Sequence, residues 1–472
     1  MLRRHTLLQT LAIMLAAASP LFAQQTVTGP EARLLAGARA QQVQTRDLPG
    51  APDPGLLKEI NEIKAVDNHA HPPALNGPHG EPDEDYDALP CDPLEPTDAG
   101  LMFREDNPVY IKAWQTMFGY KYDDFKPEHV QELLAAKEQV KKREGDNYPN
   151  WVLDQLGIQT ELANRVALGP GQYPPHFRWV AFDDTLLFPL NNSSLAAQSP
   201  DRKIFYGREE LLFARYMNEL QSNGVPPTLA EYAAKIVTPI LESQRNNGAV
   251  AIKFEAAYLR SLDFAPAKEA DAARIYARYV KGGVPTDADY KTLQDYLFRY
   301  IAREAGRLGM AVHFHTGGGC GGYFYMEGAN PLLLESVFND PALRKTNFVM
   351  LHGGSGGFEQ FVPYLLMKPN VYADFSEQTW MTSPRHIAAS IRAMLEFYAD
   401  KVLFGTDLYP LTPQVNWEET GYQTATAGRT ALAIALTGMM QDGEITREQA
   451  SEIARKVMRE NAIKLYGLSA GQ

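Results

Sequence analysis

Five short stretches of the chain carry side chains that can bind a metal ion or move a proton, and each lies at the end of an apolar run. The first is Asp67-Asn68-His69-Ala70-His71-Pro72. It follows Ile60, Ile63, Ala65 and Val66 and runs into Pro72 and Pro73, which cannot continue a paired strand, so it reads as the end of a buried strand entering a loop. Side chains alternate along a strand, so His69 and His71 point the same way, and two neutral imidazoles so placed can chelate a transition metal. Taken alone, the pair reads equally well as two hydrogen-bonded histidines. The other four stretches shift that balance. Lys253 ends Ala-Val-Ala-Ile-Lys, His315 ends Ala-Val-His-Phe-His, His352 ends Phe-Val-Met-Leu-His, and Asp407 ends Val-Leu-Phe-Gly-Thr-Asp. Burying one such group without a partner costs about 1–3 kcal/mol. A shared divalent ion removes that cost for the histidines and the aspartate together. Nitrogen ligands with one carboxylate, and water in the open position, make a hydrolytic centre.

The elements that must carry these groups follow from the hydrophobic pattern. Apolar runs ending in turn residues occur at 161–168, 179–182, 249–254, 310–315, 348–352, 371–375 and 402–407, which with the opening strand makes eight. Helical spacing between them is clearest at 229–246, 290–308, 331–338, 358–367 and 384–397, and two further helices are expected at 429–441 and 446–465. Alternating strands and helices with fully buried strands imply an α/β fold, a (β/α)8 TIM barrel, in which reacting groups stand at the carboxyl ends of the strands. Residues 73–150 interrupt the pattern directly after His71 with a Pro-, Asp- and Glu-rich loop and two helical stretches, 108–118 and 127–143. An insertion at that point lies at the carboxyl end of the first strand and is expected to cap the site. His79 and His129 in it read as surface histidines. The glycine runs at 317–319 and 353–354 lack the spacing of a dinucleotide or phosphate loop, so no organic cofactor is expected.

With the motifs laid out, the chain resembles the amidohydrolase superfamily, in its large amidohydrolase-related branch of metal-dependent hydrolases, from about residue 65 to residue 468. The resemblance is carried by Asp67 to Pro72, His315-Thr316-Gly317, Leu351-His352-Gly353-Gly354, Gly405-Thr406-Asp407 and the closing helix Glu460 to Leu468. It implies a distorted barrel in which His69, His71 and Asp407 bind the metal and His315 is a further ligand. It implies that His352 either binds a second metal or bonds the substrate or attacking water, and that Asp407 also moves the water's proton. His313 shares a face with His315; the resemblance favours His315, the residue before Thr-Gly. Lys253 has three readings: a carboxylated bridge between two metals, a contact for a substrate carboxylate, or an ion pair with Glu255. Tyr258 and Arg260 resemble a segment that meets an acidic substrate in relatives. Asp374 reads as structural.

The expected activity is hydrolysis of a C–N or ester-like bond of a small polar substrate. Alternatives are a metal-dependent non-oxidative decarboxylase, more distantly a uronate-type sugar isomerase, and a non-catalytic periplasmic binding protein. The expected cofactor is one or two divalent ions, zinc first, then manganese, iron or nickel. A net charge of −12 disfavours nucleic acid and anionic membranes as partners. Residues 1–23, with Arg3 and Arg4 before an apolar run ending at Ala23, read as an export signal, and 24–64 as an entry arm and lead-in helix before a barrel at 65–472. The apolar run is short for a membrane span and no later segment is long enough. Export to the periplasm or medium would allow Cys91 and Cys320, the only two cysteines, to pair; the sequence leaves that pairing, and a homo-oligomer, open.

Overall fold

In the computed structural model, described for residues 48–75, 83–95 and 100–469, eight parallel strands follow one another around a barrel in sequence order. They are β1 (Ala65–Ala70), β2 (Ile158–Asn164), β3 (Phe177–Phe182), β4 (Ala249–Phe254), β5 (Ala311–His315), β6 (Phe348–Leu351), β7 (Val371–Asp374) and β8 (Val402–Leu403). Seven ladders join neighbours from β1–β2 to β7–β8. The last seam is made by the segment that leaves β8: Asn68 N donates to Phe404 O at 2.9 Å, Asp407 N to His69 O at 2.7 Å, and His71 N to Leu408 O at 2.8 Å. The expected leader, and His79, lie outside the described residues. No helix among the described residues is long and apolar enough to cross a membrane.

Several boundaries differ from those expected. β2 begins three residues earlier than the pattern indicated, because Gly157 in the left-handed conformation ends the helix Tyr148–Leu156 and puts Ile158 beside Ala65. It ends before Arg165, whose guanidinium turns aside to Pro72 O and Asp83. β8 holds only two ladder residues. The run to Asp407 therefore pairs as irregular backbone against β1 rather than as the strand 402–407. The helix Trp417–Gln441 starts twelve residues before the expected 429, on a capping box of Asn416 and Glu419. The helices Pro200–Glu219 and Glu269–Tyr279 had no counterpart in the expected set.

Two apolar layers hold this frame. Inside the barrel, Val66, Leu162, Val180, Ala251, Ala311, Val349, Leu351 and Leu403 form a core closed from below by Ala462, Ile463, Leu465 and Tyr466 of the final helix and by Leu468 just beyond it. A larger core fills the space between strands and helices. The insertion after β1 has its own small core of Tyr110, Trp114, Tyr120 and Leu133 around Val415. It is tied to the barrel by Lys137, 3% exposed, whose ammonium meets Glu419 at 2.7 Å and Glu418 at 3.7 Å. A disulfide joins Cys91 in the insertion to Cys320 after β5, settling a pairing that the sequence left open.

Candidate metal centre

At the carboxyl end of the barrel, β1 and the segment after β8 bring His69, His71 and Asp407 together, with one donor atom of each within 4.8 Å of the others. Asp407 Oδ1 lies 3.1 Å from His69 Nε2 and 3.6 Å from His71 Nε2. All three residues are buried. Alternation along β1 gives the two imidazoles, and the seam bonds from His69 O and Leu408 O fix where Asp407 comes in. Asp407 itself holds φ at +59°, a left-handed conformation that costs a non-glycine residue free energy and that the seam and Thr406 enforce. Burial, and then the charge of Lys253, holds His69 well below the usual imidazole range, so its ring is neutral, as metal binding requires. Burial pushes Asp407 up to about 7, opposed by His71 and Lys253, a cost that a bound cation would remove. Two imidazoles and a buried carboxylate, converging and otherwise poorly compensated, fit a divalent ion.

The other expected site residues stand around this trio in different ways. His315 and His352 face each other, His315 Nδ1 lying 3.0 Å from His352 Nε2. His315 Nε2 is 2.5 Å from Gly318 O, a carbonyl that can only accept; with both rings neutral, the proton between them therefore belongs to His352. Burial and Lys253 hold His315 down at about 3, and burial and His315 hold His352 well below its usual value. His352 begins the turn after β6, at φ +66°, and Asp374 accepts its backbone N–H at 2.8 Å. Asp374 thus shapes the site from β7. Lys253 Nζ lies 3.4 Å from His69 Nε2 and 3.5 Å from Glu255 Oε1, at the ligand cluster and paired at once. His313 sits one layer lower, bonded through Nε2 to Tyr466 Oη at 2.8 Å. Tyr258 lines the cavity, its ring 4.6 Å from that of His315. Arg260 departs from the expectation: its guanidinium is engaged by Asp295 at 2.6 Å and Gln294 at 2.8 Å and does not line the cavity. His129 is a half-buried histidine of the insertion, stacked on Tyr122 and 2.6 Å from Asp124.

The cavity over the cluster has a volume of about 510 Å³ and is walled by the insertion, the loops after β4, β5 and β7, and residues 407–411. Sequence reasoning missed most of this wall. Glu377 is 4% exposed at φ +59°, bonded by Ser355 Oγ at 2.5 Å, and burial followed by Asp407 raises its carboxyl well above the usual range. Phe103, Trp380, Tyr409 and Asp87 also line it. None of these ends an apolar run, so no pattern marked them. The glycines do have a purpose: a Cβ on Gly317, at φ +91°, would overlap the backbone of Ser355, so only glycine lets the β5 and β6 loops close together here.

A barrel with a His-x-His and Asp cluster at its carboxyl rim defines the class of metal-centred (β/α)8 proteins. The chain belongs to the amidohydrolase family, whose model matches residues 229–468. That match includes Lys253, His315, His352 and Asp407 and begins after His69 and His71. Among curated proteins, Protein fluG of Emericella nidulans is 27% identical over 234 residues, which are 47% of this chain and 26% of that protein, so the chain spans about a quarter of its length. Solved structures that share the fold include three from bacteria. A glucuronate isomerase from Caulobacter crescentus has a TM-score of 0.61 at 12% identity, covering 91% of this chain and 97% of that one. A protein described as a metal-dependent hydrolase from Lactobacillus casei has 0.53 at 15%, covering 89% and 98%. A uronate isomerase from Thermotoga maritima has 0.52 at 12%, covering 88% and 98%.

Proposed function

We propose that the protein is a metal-dependent hydrolase of a C–N or ester-like bond in a small molecule. The observation that carries this is the convergence of His69, His71 and Asp407 at the inner end of the cavity. These three residues would hold the ion, most simply zinc, with His315 as a further ligand. The ion would supply Lewis acidity toward the scissile carbonyl and toward water. Asp407, buried against both imidazoles, takes the attacking water's proton and returns it to the leaving group. His352 Nε2, whose proton faces His315, is free to bond the oxyanion when the His315 ring shifts. The insertion and the 407–411 loop wall the cavity in which the substrate would lie. A second ion would have to displace the proton between His315 and His352, and Lys253 stands close enough to the cluster to bridge if carboxylated.

The same centre is compatible with a non-oxidative decarboxylase or a sugar isomerase. A panel of amides, esters, aromatic acids and uronates, followed for new carboxylate, released carbon dioxide or isomerised sugar with the zinc-loaded protein, tests the proposal. Hydrolysis supports it; carbon dioxide release or isomerisation without hydrolysis replaces it. We further propose that the chain is exported. The Cys91–Cys320 disulfide supports that reading, because such bonds persist in oxidising compartments.

A further inference from the structure

The cavity has two chemically unlike halves. Its inner end holds the histidines, Lys253 and Asp407. Asp87 belongs to that inner end, its Oδ2 3.1 Å from His71 Nδ1, while the outer half is walled by Asp92 and Glu95 of the insertion and by three rings in mutual contact: Phe103 and Trp380 with centroids 4.3 Å apart, Trp380 and Tyr409 at 5.5 Å, and Phe103 and Tyr409 at 6.3 Å. Among the described residues that line the cavity, Lys253 is the only lysine or arginine, and it lies at the inner end, 3.5 Å from Glu255. Arg260, the cation that the sequence offered for an acidic substrate, is engaged outside the cavity.

Among the described residues no ion pair engages Asp92 or Glu95, whereas Asp87 Oδ2 meets His71 Nδ1 at 3.1 Å and Glu255 meets Lys253 at 3.5 Å. Glu255 is 5% exposed, and its Oε2 has no hydrogen-bond partner. Asp92 is raised by partial burial and by the nearby charge of Asp87. Like charges crowded against aromatic rings are a poor surface for an anion and a good one for a cation that can meet carboxylates by hydrogen bonds and a ring by its face. An inorganic cation fits less well. Among the described residues only His69, His71 and Asp407 bring three donor atoms within 4.8 Å, so the outer carboxylates do not converge on one small ion.

We infer that the substrate carries a positively charged arm, an amine or guanidinium group, which lies in the outer half of the cavity among Asp92, Glu95 and the Phe103–Trp380–Tyr409 rings. This rests on the hydrolase reading only in placing the scissile bond at the inner end. The test uses three amides alike except in the arm: N-acetylcadaverine, N-pentylacetamide and N-acetyl-aminovalerate, cationic, neutral and anionic. Calorimetric titration of the zinc-loaded protein should show the cationic amide binding at least about tenfold tighter than the anionic one, with the advantage shrinking in high salt. An Asp92→Asn, Glu95→Gln double variant, with wild-type melting temperature as the control for folding, should lose most of that advantage. Equal binding of the three, tighter binding of the anion, no binding of any, or an advantage unchanged in the variant would overturn the inference. Acetate release in the same samples reports separately on hydrolysis, so a charge preference without turnover would sink the hydrolase reading and leave the charge reading standing.

Discussion

Asp67 grips Thr406 with both carboxylate oxygens: Oδ1 accepts the Thr406 backbone N–H at 2.9 Å and Oδ2 accepts its hydroxyl at 2.5 Å. Asp67 stands two residues before His69, and Thr406 one before Asp407. One side chain therefore sets the separation between the imidazoles of β1 and the acid that arrives from β8. Asp67→Asn turns one acceptor into a donor facing an N–H or a hydroxyl. Zinc affinity should fall about 10- to 100-fold, read by competition with a chelating dye, while far-ultraviolet circular dichroism stays unchanged.

Asp407 is assigned both ligation and proton movement, and these separate experimentally. Asp407→Asn in a zinc-saturated sample should lower kcat by about 10²- to 10⁴-fold with a smaller change in KM. His69→Ala should instead abolish stoichiometric zinc, measured by atomic absorption. The count in the wild type reads Lys253 directly: two ions per chain with a mass increase of one carbon dioxide assign it as a bridge, and one ion without the increase leaves it as the partner of Glu255.

Removing the metal should be visible as stability. A ligand present at a hundred times its dissociation constant contributes about 2.7 kcal/mol to the folded state. Dialysis against a chelator should lower the melting temperature by several degrees, restored by zinc and not by magnesium, whose preference for an all-oxygen octahedron these imidazoles do not meet.

A group of buried carboxyls behind the site gives the metal-free protein an unusual pH response. Burial raises Asp183 to about 8 and Asp184 to about 7, from a value of 3.8 for both. The folded chain keeps these protons where the unfolded chain has released them. Their stabilising contribution is complete below the unfolded value and is lost as pH rises through the folded one, so stability falls across that interval, by up to about 1.4 kcal/mol per pH unit for each proton. The melting temperature should drop between about pH 5 and about pH 8.5. Asp183→Asn keeps the carbonyl that accepts from Gln244 Nε2 at 2.8 Å and should flatten the slope; an unchanged slope would exclude Asp183 as its source.

Cys91 and Cys320 both line the cavity, and the bond between them closes a loop with a sequence separation of 229. Replacing both with serine should cost about 2–4 kcal/mol of stability. Because the bond holds the insertion to the β5 loop at the cavity wall, KM should rise more than kcat falls, and reductant should reproduce the effect in the wild type and not in the variant.

The strand ends that bear metal-type side chains were legible because each polar group closes a run of apolar residues, a pattern strong enough to locate His69, His71, Lys253 and His315 by the ends of β1, β4 and β5, whereas Asp407, expected to end the last strand, lies four residues past β8. His352 was expected as the last strand residue, yet it begins a left-handed turn, since backbone handedness leaves no mark on a histidine. The helix Pro200–Glu219 escaped notice because its buried face includes Asp201 and Glu209, which read as solvent-facing. The start of Trp417–Gln441 escaped for the same reason: Glu418 and Glu419 are buried against Lys137 and Tyr148, partners hundreds of residues away. The cavity wall was illegible because its members come from loops, where position depends on the whole fold rather than on spacing.

Tyr466, three residues from the end of the described chain, reaches up through the barrel floor to His313 and Asn68, and Asn68 bonds Asp374, which in turn holds the backbone of His352. The helix Asn461–Tyr466 is thus a keel under the histidine cluster. A stop codon placed just before Tyr466, far from any substrate, would be felt first as a slackened grip on the histidines above it.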